Sequence, residues 1–156
     1  MDSPGVRLAL LLLSGYQRLV DEVTGELARQ GHVDFRSSHE YALTAVGAGA
    51  TTISEVGRRL GVSKQAAAKT VGLLVDRGYL SRAEDPDDAR STRLELTPSG
   101  REVSRLGAAV FDTLRARWAE RVGLEGVEEV ERLLGDLVGD APVDPGSPGW
   151  VSQVAG

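Results

Sequence analysis

The sequence predicts a mainly α-helical protein with a small β-wing, built as a winged helix-turn-helix domain with further helices at its N- and C-terminal ends. Three observations carry this. Residues 52–78 hold two short helical periodicities separated by a glycine-containing turn. Residues 80–97 hold two short strand-like runs around a charged loop. Apolar residues also recur at helical spacing near both ends of the chain, beyond the needs of a reading domain of about fifty residues.

The elements can be justified in order. Ser3-Pro4 suits an N-cap and first helical position, and a long helix is expected from Val6 to about Gln30. Ser37-Ser38-His39-Glu40 reads as a capping box that opens a short helix through Tyr41, Leu43 and Val46, broken at Gly47-Ala48-Gly49-Ala50. The missing third glycine and the absence of a preceding strand exclude a dinucleotide fingerprint there. Thr52-Ile53-Ser54-Glu55 is a second capping box, with Ile53, Val56 and Leu60 forming the inward face of its helix and Gly61 ending it. Ser63 then caps a further helix, whose inward stripe is read as Ala67, Val71, Leu74 and Gly78. Gly78 also suits the stop before Tyr79-Leu80.

On that second helix Gln65, Ala66 and Lys69 fall opposite the apolar stripe, with Ser63, Lys64 and Thr70 toward its rim. A glutamine can bond an adenine edge at two points, alanine methyls can touch thymine methyls, and lysines neutralise phosphate. The chain's only two lysines, Lys64 and Lys69, both lie on this helix. Strands are expected at Leu80–Arg82 and Thr92–Thr97, with residues 84–91 as the loop between them. Within the loop Asp88 is expected to hold the Arg90 guanidinium by a charge-assisted bond, presetting it for a minor groove.

Thr97-Pro98 starts another helix, with Val103, Leu106, Val110, Leu114 and Trp118 on one side. A last helix, expected after Gly123 to Gly126, carries Val127, Val130, Leu133, Leu134 and Leu137. Residues 141–156, rich in Pro, Gly and Ser, read as a flexible tail.

The stretch from 51 to 101 resembles the winged-helix domain of the MarR family of bacterial transcription regulators. The resemblance rests on Gly61-Val62-Ser63-Lys64-Gln65, Asp76-Arg77-Gly78-Tyr79-Leu80-Ser81-Arg82, Asp85-Pro86-Asp87-Asp88-Ala89-Arg90 and Leu96-Thr97-Pro98-Ser99-Gly100, four elements in the family's order and spacing. The family's wing signature, an Asp with an Arg two residues on, maps onto Asp88 and Arg90. Ala89 departs from it, standing where many members carry another basic residue.

The resemblance implies a homodimer whose terminal helices interleave. The expected organisation is an N-terminal dimerisation helix (1–36), the winged domain (37–101), C-terminal dimerisation helices (102–140) and the tail (141–156). It implies a repressor-type regulator binding an inverted repeat in double-stranded DNA through Thr52, Ser54, Ser63, Lys64, Gln65, Ala66, Lys69, Thr70, Asp88 and Arg90, with half-sites about 10 base pairs apart. It also implies release by a small-molecule effector, for which Tyr16, Arg18, His39, Tyr41, Phe111 and Trp118 are the candidate pocket residues.

Charge and composition are consistent with these expectations. The chain carries a net charge of −5, yet residues 51–101 hold nine Lys/Arg against seven Asp/Glu, so positive charge concentrates where the motif lies. With no cysteine, disulfides and thiolate chemistry are excluded. The longest apolar run, Leu8 to Leu13, is too short to span a bilayer and lacks a basic leader, so a cytoplasmic protein is expected. Abundant arginine, 19 glycines and no asparagine point to a GC-rich bacterial genome.

Catalysis is not expected, since there is no GxxxxGK loop followed by Ser or Thr, no HExxH and no GxSxG turn; no cofactor is implied. Two alternatives stand beside the main reading. One is a winged helix used for protein contacts without an operator. The other is a zinc-responsive regulator using His32, His39 and Glu40, with Asp34 nearby, although two histidines seven residues apart match no recognised ligand spacing.

Overall fold

The computed structural model describes residues 3–139, which form six helices and one two-stranded sheet. In chain order these are α1 (Pro4–Arg29), α2 (Ser37–Gly47), α3 (Ile53–Leu60), α4 (Lys64–Asp76), β1 (Leu80–Asp85), β2 (Asp88–Leu96), α5 (Pro98–Val122) and α6 (Leu124–Val138). They divide into two compact units. One contains α2, α3, α4, the sheet and the start of α5; the other contains α1, α5 from Arg105 onward and α6 as far as Leu133.

The first unit, here called the reading unit, has a closed apolar core. Leu43, Val56, Ala67, Val71, Leu74, Leu80 and Val103 are fully or almost fully buried, and Tyr79 and Leu94 join them. Helix α3 is specified by its ends. The Thr52 hydroxyl accepts the Glu55 N–H at 3.2 Å, and the Glu55 carboxylate accepts the Thr51 and Thr52 N–H groups at 2.7 and 3.1 Å. At its other end Gly61 takes the left-handed conformation (φ 65°), which costs a glycine nothing. Ser63 caps α4 by accepting the Ala66 N–H at 3.1 Å.

The antiparallel sheet pairs Leu80 with Leu96, Arg82 with Leu94 and Glu84 with Thr92. Its strands run farther than the charge pattern suggests: only Pro86 and Asp87 separate them, so most of the expected loop at 84–91 is strand. The Leu94 N–H donates to the Thr51 carbonyl at 2.9 Å, pinning β2 to the segment that leads into α3. Helix α5 begins on top of Tyr79, where Gly100 sits so close that a Cβ there would lie 2.1 Å from the Tyr79 carbonyl oxygen. The Thr97 hydroxyl accepts the Gly100 N–H at 3.0 Å and donates to the Gly78 carbonyl.

Three sequence expectations need correction here. Helix α2 starts one residue earlier than its serines suggest: Arg36 is the N-cap, and Ser37 is the first helical residue. Its capping partner is His39, whose Nδ1 accepts the Arg36 N–H at 3.1 Å. Gly78 is not on the inward stripe of α4; it lies beyond the helix, exposed, at φ 78°. Helix α6 begins at Leu124, so Gly126 is inside it.

The second unit is built differently. Helix α1 buries Val23 and Leu27 near its C-terminal end, and α6 buries Val127. The N-terminal half of α1 leaves its leucines open: Leu8 is 52% exposed and Leu11 60%. An exposed ion pair links Arg115 of α5 to Glu131 of α6 at 2.6 Å, raising the pKa of the arginine and lowering that of the glutamate through their mutual hydrogen bond. Among the described residues no helix is long and apolar enough to cross a membrane. The expected tail at 141–156, including Trp150, lies outside the described residues.

Candidate nucleic-acid interface

The exposed face of α4 is the candidate reading surface. Gln65, Ala66 and Lys69 are exposed, whereas Ala67, Val71 and Leu74 on the opposite side are buried. Leu73, one helical turn beyond Lys69, adds an exposed apolar side chain to the same face. Ser63 and Lys64 are exposed at the helix start, and Thr70 is half-buried at the edge. The first-turn amides of α4 and its dipole make that end electropositive.

Thr52 and Ser63 spend their hydroxyl oxygens as caps, but a hydroxyl that accepts an N–H keeps its own O–H for another acceptor. Both side chains are exposed, as is Ser54. Capping and phosphate contact are therefore compatible at these positions.

At the wing tip the expected guanidinium clamp is absent. Asp88 Oδ1 accepts the backbone N–H of Arg90 at 3.0 Å, and no ion pair joins the two side chains among the described residues. Asp85 does the same for the Asp87 N–H at 2.9 Å and also accepts the Ser91 hydroxyl at 3.3 Å. These bonds shape the turn. They leave the Arg90 side chain exposed, without the guanidinium bond to Asp88 that would preset it.

A cleft of about 190 Å³ lies between the N-terminal end of α3, Lys64 and the wing strands, with Arg82, Thr92 and Leu94 in its wall. Neither Arg82 nor Thr92 was singled out from the sequence. The register of β1 on β2 brings them to one side of the sheet, information that the local spacing of residues does not contain.

The other candidate positions are dispersed. Tyr16, Arg18, Phe111 and Trp118 belong to the second unit, whereas His39 and Tyr41 belong to the reading unit. Arg18 lines a shallow charged cleft on α1 with Asp21, Glu22 and Arg29. His39 is only 6% exposed, and its pKa is lowered by burial and by the Arg77 and Arg36 charges. Burial raises the pKa of Glu40, whose Oε2 has no hydrogen-bond partner in the structure. Among the described residues no three His, Asp or Glu groups converge to hold a metal ion.

Comparison with known proteins agrees with this architecture. Residues 41–91 match the MarR family. The reduced form of Escherichia coli MarR superposes with a TM-score of 0.69 at 20% identity, over 85% of this chain and 96% of that one. Residues 41–91 are thus similar to the MarR family, and the fold is that of the MarR winged-helix structures. A transcriptional regulator from Thermotoga maritima has the same fold (TM-score 0.62, 22% identity, 84% of this chain and 91% of that one). So does a Staphylococcus aureus MepR mutant bound to an oligodeoxyribonucleotide (TM-score 0.60, 15% identity, 84% and 95%). Uncharacterized proteins of Mycobacterium bovis and Mycobacterium tuberculosis are 35% identical over 91 residues, 58% of this chain. The match spans about 60% of the length of those relatives.

Proposed function

We propose that the chain is a homodimeric transcription regulator of MarR type that reads an inverted repeat in double-stranded DNA. The observation that carries this reading is the exposed face of α4. Gln65, Ala66 and Lys69 stand there on a helix with no acidic residue before Asp76, at the electropositive end of a rigid two-helix frame. Gln65 offers a two-point match to an adenine edge, and the Ala66 methyl and Leu73 suit thymine methyls. Lys64, Lys69 and Arg90 supply charge for the phosphates, whose neutralisation provides most of the sequence-independent affinity. The DNA-bound MepR mutant of like fold supports the proposal.

Repression, and release by a small-molecule effector, belong to the same proposal. Tyr16, Phe111 and Trp118 are each at least 36% exposed and are the aromatic surfaces such a ligand would use. The dimer is supported by the open leucines of α1, whose coverage is worth about 1.5–3 kcal/mol for each fully buried side chain.

The test is affinity for a selected operator against random duplex. Gln65→Ala and Lys69→Ala are each expected to reduce specific affinity by about 1–3 kcal/mol, and Arg90→Ala to weaken binding across sequences. Full affinity in all three variants contradicts the proposal. So does wild-type binding without sequence preference, which favours a winged helix used for protein contacts.

A further inference from the structure

Resting on the DNA-reading proposal, a second site can be assigned beside α4. We propose that the cleft at the base of the wing seats one backbone phosphate of duplex DNA, with Arg82 as its main ligand and Lys64 and Thr92 alongside.

Three independent observations support this. The first is shape. The cleft, about 190 Å³, opens beside Lys64 and is walled by Thr52, Ser54, Arg82 and Thr92, with Leu94 at its base. One water needs only about 10–15 Å³ of such space, so a tetrahedral oxyanion fits with its ester carbons.

The second is charge. Arg82 and Lys64 make no ion pair or side-chain hydrogen bond among the described residues, although the chain carries 23 acidic residues against 18 basic ones. The nearest acid in the α3 turn, Glu55, is already bound by the Thr51 and Thr52 N–H groups and the Thr51 hydroxyl. Two uncompensated cations lining one cleft, with threonine and serine hydroxyls beside them, suit a phosphate, and a guanidinium can grip two of its oxygens at once.

The third is rigidity. Arg82 pairs in register with Leu94, whose side chain is buried and whose N–H is tied to the Thr51 carbonyl. Wing and α3 therefore hold the backbone of the cleft walls in one frame, so that binding has mainly the Arg82 and Lys64 side chains to order.

Glu84 defines the limit of the site. It follows Arg82 on the same side of β1 and pairs with Thr92, so a second phosphate farther up the wing would meet a carboxylate. One phosphate is seated, at the base of the wing. Because the ligand is the sugar–phosphate backbone, Arg82 adds affinity and register without reading a base.

The experiment measures the full chain on a selected operator and on random duplex, across a salt series, for wild type, Arg82→Gln, Arg82→Lys and Gln65→Ala. Arg82 is exposed, so its variants are expected to fold, which thermal melting verifies. Arg82→Gln should lower the magnitude of the log–log salt slope by about 0.9 and weaken both duplexes by the same factor, on the order of three- to tenfold. Arg82→Lys should keep the slope and recover only part of the affinity, since the charge stays and the fork is lost. An unchanged slope in Arg82→Gln, with Gln65→Ala still losing specificity, overturns the phosphate seat and leaves the DNA-reading proposal standing. Loss confined to the operator also overturns it, because Arg82 would then be reading a base. Inorganic phosphate, titrated at constant ionic strength without DNA, separates the remaining source. Tight binding abolished by Arg82→Gln would give the cleft to a free oxyanion and overturn the backbone assignment.

Discussion

In the reading unit Val56, Val71, Leu74 and Val103 have no exposed surface, whereas in the N-terminal half of α1 Val6, Leu8, Leu10 and Leu11 each keep more than half of theirs. Both regions are regular helix, and both are rich in aliphatic residues. They differ in what surrounds those residues. Helices α2, α3 and α4 and the sheet supply one another with partners, so their apolar faces close within a single chain. Leu8, Leu11, Leu12 and Leu19 follow helical spacing along one side of α1, while Leu10 lies off that stripe, so the surface left open is broad. Such a surface indicates an unfinished interface. The reading unit is complete as one copy, whereas α1 needs a partner surface, which the proposed homodimer would supply from a second copy.

Replacing Leu11 by Asp probes that difference most strongly. A carboxylate placed in an apolar interface should cost the dimer about 3 kcal/mol or more, while the reading unit, built from other residues, stays folded. Sedimentation velocity over a concentration series should find the wild type dimeric and Leu11→Asp monomeric, with helical circular dichroism retained. An unchanged mass in Leu11→Asp would remove α1 from the interface.

The closed unit can be tested at its tightest point. Gly100→Ala would push a methyl group into the Tyr79 carbonyl, at 2.1 Å before relaxation, and should destabilise the chain by about 1–3 kcal/mol in thermal or urea unfolding. Gly72, in the middle of α4, has nothing within 4 Å of an added Cβ. Gly72→Ala should instead stabilise by about 0.5–1 kcal/mol, since alanine is the better helix former. Equal effects at the two glycines would mean that the packing beneath α5 has slack.

A smaller effect comes from comparing two caps inside the reading unit. The Arg36 N–H at the start of α2 is held by the His39 imidazole, whereas the N–H groups at the start of α3 are held by the Glu55 carboxylate. Burial, reinforced by Arg77 and Arg36, lowers the His39 pKa below its ordinary 6.5, so the unfolded chain takes the proton first. The stabilisation from neutral His39 is then complete above about pH 6.5 and is lost as pH falls through that value toward the lower folded pKa. Hydrogen bonds from Thr51 and Thr52 lower the Glu55 pKa, so its contribution persists until pH falls below the ordinary 4.5. Between pH 7 and 5 protonation of His39 should therefore cost up to about 1 kcal/mol, roughly one hydrogen bond. Glu40 offsets this in part, because its burial-raised pKa makes its protonation favour the fold as pH falls. His39→Gln keeps an acceptor without a titrating group and should flatten that pH dependence in unfolding measurements. Retention of the slope in His39→Gln would place its origin elsewhere.

Local chemistry made much of the fold legible. The Thr52–Glu55 box, the left-handed Gly61 and the Ser63 cap each depend on residues within a few positions of one another, and the structure contains all three. Legibility ended where one pattern had two physical solutions. An aspartate two residues before an arginine can bind its guanidinium or its backbone amide; at Asp88 the turn takes the amide. The serines at 37 and 38 resemble caps, yet the cap geometry belongs to Arg36 and His39, because an imidazole can accept an N–H as a carboxylate does. Charges at 84–91 suggested a loop, whereas cross-strand pairing carries the strands nearly to the tip. The Arg82–Thr92 cleft could not be read at all, because it depends on strand register.

The central claim, that two copies present paired α4 helices to one face of a duplex, is tested most directly by selecting bound fragments from random double-stranded DNA. The account predicts enrichment of an inverted repeat whose half-site centres lie about 10 base pairs apart. Recovery of a solitary half-site, or of no enriched sequence, would contradict it.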